Sequence, residues 1–166
     1  MKIPLKKAQP GHRNVSISDG RHVGLIVQCV HVGAQPAFNK DDPPVPSIAV
    51  AIEFAEGTLA RPITISQHPS SLFFGLQHAC DLGDREEVEL SDFLGKPVAC
   101  EIENQGGWPK LRSFGPVESV DEVPTSKARQ LAFDVELLDR GEGREEFLQL
   151  HPDIRRAISQ RVRARS

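Results

Sequence analysis

Phe93-Leu94-Gly95-Lys96-Pro97-Val98-Ala99-Cys100-Glu101-Ile102-Glu103-Asn104-Gln105-Gly106-Gly107-Trp108-Pro109-Lys110-Leu111-Arg112-Ser113-Phe114 reads as a β-hairpin. Val98, Cys100 and Ile102 alternate with Ala99, Glu101 and Glu103, the period of two of a half-buried strand. Asn104–Gly107 is the turn, because Gly and Asn adopt φ > 0 at little cost. On the return strand Trp108, Lys110 and Arg112 share one face, and Leu111 takes the other. A loop over these four residues sets Glu103 opposite Trp108, Glu101 opposite Lys110 and Ala99 opposite Arg112. On that pairing Lys110 is tied to Glu101, and Arg112 is the freer cation. An aromatic ring beside cations on the outer face of a strand suits single-stranded nucleic acid: bases stack on the ring and phosphates meet the cations.

Upstream, His22–Gly33, Ser47–Phe54 and Pro62–Ser66 read as strands rich in Val and Ile, with a turn at Glu56-Gly57. Pro36, Pro43, Pro44 and Pro46 make 34–47 a long loop, where Phe38 and Lys40 offer a second ring and cation. Arg61 precedes the third strand and reaches toward the same face. Ser70 or Ser71 caps a helix in which Leu72, Leu76, Ala79 and Cys80 follow at helical spacing. Phe73 and Phe74 are adjacent, so one is buried and the other partly exposed. Leu90–Leu94 is a short helical turn with Ser91 as cap and Gly95 as stop.

Three strands, a helix and two strands is the order of an OB-fold. The expected fold is mainly β: a five-stranded OB-fold-like barrel with a helix between strands 3 and 4, followed by an extended segment and a helix. An SH3-like barrel with an insertion fits the same count. Downstream, 118–130 is linker-like, Leu131–Leu137 is extended and Arg144–Val162 is a terminal helix. Within it Pro152 starts a fresh run whose Ile154, Ala157, Ile158 and Val162 form an apolar stripe. The chain therefore divides into a basic arm over 1–20, an OB-fold-like domain over 21–120, and a linker, extended segment and helix over 121–166.

With 166 residues the chain has the length of one domain plus tails, and its formal net charge of -3 is not that of a strongly basic binder. The charge is clustered, however. Lys2, Lys6, Lys7, Arg13, Arg21 and Lys40 gather near the start, and Arg155, Arg156, Arg161, Arg163 and Arg165 near the end. Between them 81–103 is acidic. Cys29, Cys80 and Cys100 are odd in number and widely spaced, which points to buried thiols in a reducing compartment rather than a disulfide framework. No apolar run reaches the ~20 residues of a membrane span, and the first residues lack a signal-peptide core, so a cytoplasmic protein without a membrane partner is expected. Walker A, GxSxG and HExxH patterns are missing, and His68 and His78 have no third ligand at a usable spacing. The reading is therefore of no enzyme, no metal, no cofactor and no small-molecule substrate.

Further residues carry a resemblance. Ile65-Ser66, the Ser70-Ser71-Leu72 helix start, Val88–Phe93, Leu94-Gly95-Lys96-Pro97, Val98–Ile102 and Trp108–Val117 form one series. Leu131-Ala132-Phe133-Asp134-Val135 and Phe147–Ile158 complete it. Over roughly 22–160 the chain resembles a family of small bacteriophage OB-fold proteins that bind single-stranded DNA. The resemblance implies sequence-independent binding of single-stranded DNA in phage replication or recombination, in the host cytoplasm. The residues expected to carry it are Trp108, Lys110, Arg112, Phe38, Lys40 and Arg61. The competing expectation is a protein-interaction module on an OB-like scaffold, supported by the net negative charge, Glu101 and Glu103, and a first helix (72–82) without cations. In that case the amphipathic tail helix docks on a partner or on a second copy of the chain.

Overall fold

Ile48-Ala49-Val50-Ala51-Ile52 is buried at every position, not at alternate ones, so β2 (Val45–Phe54) has protein on both faces. In the computed structural model, described for residues 17–37 and 39–162, β2 lies inside a six-stranded sheet. With β1 (Gly20–Gln35), β3 (Gly57–Thr64), β4 (Pro97–Gln105) and β5 (Trp108–Gly115) it forms the order β3-β2-β1-β4-β5, all neighbours antiparallel. β6 (Leu131–Asp134) joins parallel to β1. The fold is thus mainly β with a few short helices. β3 and β5 end this path and are not paired to each other, so the sheet is open where a closed barrel was expected. A side chain spans the seam: Arg61 Nη1 donates to the Leu111 carbonyl at 3.4 Å.

β1 shares one edge between two partners. Gly20–Leu25 pairs with β4 and Gln28–His31 with β6. Between them Ile26 is held by the Leu94-Gly95-Lys96-Pro97 turn: its N–H donates to Lys96 O at 3.1 Å, and the Gly95 N–H donates to Ile26 O at 2.8 Å. Gly95 has φ +74°, a conformation that glycine adopts without a Cβ penalty. The motif that carried the family resemblance therefore has a structural task. Two bulges against β2, at Val27 and Val32, bend β1 and shift which side chains face which layer.

Each face of the sheet has its own core. On one, Ile26, Val50, Ile52, Phe93, Ile102 and Leu111 pack with Phe73 and Leu76 of α1 (Leu72–Ala79). On the other, Val30, Val32, Ala49, Ala51 and Ala60 lie beneath Ile154, Ala157 and Ile158 of α4 (Pro152–Ser159). The small alanines let the helix approach the sheet closely. At roughly 1.5–3 kcal/mol per fully buried large side chain, both layers contribute substantially to stability.

α1 follows β3 and precedes β4, as expected, and Ser71 Oγ caps it by accepting the Phe74 N–H at 3.1 Å. Phe73 is buried, while Phe74 is half-buried with its ring 4.2 Å from that of His78. β3 starts at Gly57 rather than Pro62, because pairing resumes at Phe54↔Gly57 directly after the tight turn. Pro62 sits inside the strand, where its missing N–H is tolerated on an edge. The 3-10 turn Leu90–Phe93 is capped by Glu89, whose N–H donates to Asp92 Oδ2 at 2.8 Å, and not by Ser91.

The extended segment ends at Asp134 and gives way to α2 (Glu136–Asp139). The single terminal helix is broken into α3 (Arg144–Leu148) and α4. The residue before a proline avoids the helical region, and His151 accordingly has φ -54° and ψ 140°. Its Nδ1 then accepts the Asp153 N–H and starts α4 anew.

Candidate nucleic-acid interface

Gly106 and Gly107, with φ +59° and +85°, make a two-residue turn that needs positive φ at both positions. The loop is therefore shorter than expected. Asn104 belongs to β4, where its N–H and Nδ2 donate to Asp19 Oδ1 at 2.7 and 2.8 Å and Nδ2 also donates to Ile17 O at 2.8 Å. The register moves with it: Gln105 faces Trp108, Glu103 faces Lys110, and Glu101 faces Ser113. Arg112 is the extra residue of a bulge between the Ile102↔Leu111 and Glu101↔Ser113 pairs.

This corrects the expected roles of the two hairpin cations. Arg112, read from sequence as the freer one, has its Nε 2.7 Å from Glu103 Oε2. That hydrogen bond holds the Glu103 carboxyl below the ordinary glutamate range and raises Arg112 in turn. Lys110 is exposed and makes no ion pair among the described residues, with Glu101 or any other carboxylate.

Trp108 opens β5 and is 44% exposed. It lies on the rim of a groove of about 310 Å³ between β3, the start of β5 and α4. Arg61, Pro109, Asp153, Arg156 and Gln160 also line it. Trp108 and Arg61 are 47 positions apart in the chain (108 − 61) and meet here. Arg61 is half-buried; burial lowers its pKa, yet a guanidinium stays charged. Its Nε is buried without a partner, and among the described residues no carboxylate pairs with it. Arg156 is exposed on α4 and likewise makes no ion pair among the described residues. Among the described residues the one carboxylate on the groove is Asp153, with Oδ2 4.0 Å from His151 Nδ1. A ring and two guanidinium groups around one cleft can hold a planar base and an anionic phosphate.

The other expected residues are not gathered here. Lys40 is exposed in the β1–β2 loop and does not line the groove. Arg61 faces Val50, five residues along β2 from Val45, or roughly 17 Å at ~3.3 Å per residue. Phe38 lies outside the described residues. Arg156 and Gln160 went unrecognised as site residues. The stripe of Ile154, Ala157 and Ile158 orients α4, but nothing local in the sequence says that its flank meets β3.

Other chemistry-bearing groups have structural partners. Cys29, Cys80 and Cys100 are buried free thiols of one core, and burial pushes Cys29 and Cys80 up to about 12 and Cys100 higher. His31 faces Asp134 across the parallel β1–β6 ladder, with Nδ1 2.8 Å from Asp134 Oδ1. The same oxygen accepts the Glu136 N–H at 3.0 Å, so Asp134 is already engaged by His31 and by the backbone at the start of α2. Among the described residues no helix is long and apolar enough to cross a membrane. The chain matches no family model, no curated protein and no solved structure.

Proposed function

We propose that this chain is a sequence-independent single-stranded-DNA-binding protein on an OB-like scaffold, with its ligand held at the groove of Trp108, Arg61 and Arg156. The convergence on one cleft of an exposed indole and two guanidinium groups, Arg61 and Arg156, that pair with no carboxylate among the described residues carries this reading. The scaffold part is supported by the element order, by β1 pairing with both β2 and β4, and by Arg61 reaching across the β3–β5 seam to Leu111. A role in phage replication or recombination rests on the family resemblance.

The test is a titration of Trp108 fluorescence with oligo-dT at two salt concentrations. Binding quenches the indole and weakens as salt rises, because counterions are released from the strand. Unchanged emission at low salt and saturating oligo-dT defeats the reading. The alternative, a protein-interaction module, draws on Glu103 neutralising Arg112 and on α4 covering the outer face of β1, β2 and β3. It predicts that emission stays unchanged in the same titration.

A further inference from the structure

OB-folds commonly bind a strand along the outer face of strands 2 and 3, where successive bases stack over about 4–16 nucleotides. In this molecule α4 occupies that face. Ala49, Ala51 and Ala60 are 0%, 1% and 6% exposed beneath Ile154, Ala157 and Ile158. The open surface resumes at the flank of α4, in the groove toward β5. There the stacking surface is short. Trp108 is the one Phe or Trp side chain among the described residues that is exposed, since Phe54, Phe73, Phe93, Phe114 and Phe133 are buried and Phe74 and Phe147 half-buried. The cations are equally local, Arg61 on one wall and Arg156 on the other. A cleft of about 310 Å³ sits at the low end of ligand-pocket sizes.

We infer that the groove seats a single nucleotide of a DNA strand, its base on Trp108 and its phosphate between Arg61 and Arg156, and that α4 prevents a longer continuous track. This rests on the proposed function and sharpens it: the protein grips one nucleotide at a time, so strand length contributes little to affinity. Asp153 at the same rim repels phosphate, which favours a seat with the phosphate displaced toward Arg61.

The experiment compares 5′-phosphorylated dT3 with dT15, read by Trp108 fluorescence and by anisotropy of labelled strands. A single-nucleotide seat gives dT15 an advantage of about fivefold, the ratio of available registers, and lets several protein molecules load on one dT15. Arg156→Gln, a change at an exposed position, weakens dT3 and dT15 by the same factor, with circular dichroism and the melting temperature showing the variant folded. A continuous track would instead add about tenfold per further stacked base. Binding of dT15 more than a hundredfold tighter than dT3 therefore overturns the single seat and leaves DNA binding standing. Failure of both strands to bind at low salt overturns the proposed function and this inference together.

Discussion

The β4–β5 hairpin and the groove beside it both carry arginine, yet the two regions present it differently. On the hairpin Arg112 is matched by Glu103, a residue of the neighbouring strand nine positions away (112 − 103), and the pair is exposed to solvent. In the groove Arg61 and Arg156 come from segments 95 positions apart (156 − 61), and neither pairs with a carboxylate among the described residues. Local pairing in a sheet is easily met by the next strand and neutralises what it pairs. The two groove cations, brought together by the tertiary structure, have no such carboxylate neighbour among the described residues.

This contrast can be broken most forcefully through the groove wall. Ile154→Ala removes a fully buried side chain from beneath α4 and should cost ~2–5 kcal/mol, about the same as Leu76→Ala in the opposite core, read as a lower urea midpoint. A loss well under ~1 kcal/mol for Ile154→Ala alone would make α4 a loose strap, and the groove an accident of its position. Next, Trp108→Ala should weaken oligo-dT binding by ~1–3 kcal/mol in an anisotropy titration, with circular dichroism showing the variant folded.

Salt dependence then separates the regions directly. Arg156→Gln should lower the slope of log affinity against log salt by about 0.7, the loss of one phosphate contact on a single strand, while Arg112→Gln leaves the slope where it was. The reverse result would move the interface to the hairpin. Gly107→Ala places a side chain at φ +85° and should cost ~1 kcal/mol, a fall of about 2–4 °C in melting temperature for a domain of this size.

The smallest effect tests the pairing itself. The Glu103 carboxyl is depressed in the folded chain by Arg112, so the pair's contribution is present above the ordinary glutamate pKa of about 4.3 and is lost as pH falls through the folded value. Arg112→Gln should move Glu103 up toward the ordinary value in an NMR titration, with the Gln105 side chain still holding it slightly down. An unshifted Glu103 in the native chain would show that the hairpin is not neutralised.

The sequence was legible where short-range rules decide. Ser71 as a cap, Leu76 in the core, Gly95 as a stop and the buried Ile154, Ala157 and Ile158 follow from spacing and residue type, whereas Val162, expected to extend that stripe, lies past the end of α4, is 44% exposed and bridges Ala34. At the hairpin, turn chemistry alone sets a different register from the one observed. Asn104 looks like a turn residue, but its hydrogen bonds to Asp19 and Ile17 keep it in the strand, and the turn shrinks to Gly106-Gly107. Every pair above the turn shifts with it, and the parts of Lys110 and Arg112 are exchanged. The groove was only half legible: Trp108 and Arg61 stand out by type, whereas Arg156 joins them through packing of α4 on the sheet, which no local pattern encodes.

The divided edge of β1 has a consequence for how the chain is made. Its Gln28–His31 edge pairs with a strand that begins 103 positions later (131 − 28). At ~5–20 residues per second, synthesis takes roughly 5–20 s to supply that strand, and an unpaired strand edge is a template for other chains meanwhile. Nascent chains halted before Leu131 should therefore aggregate where those released after Val162 stay dispersed.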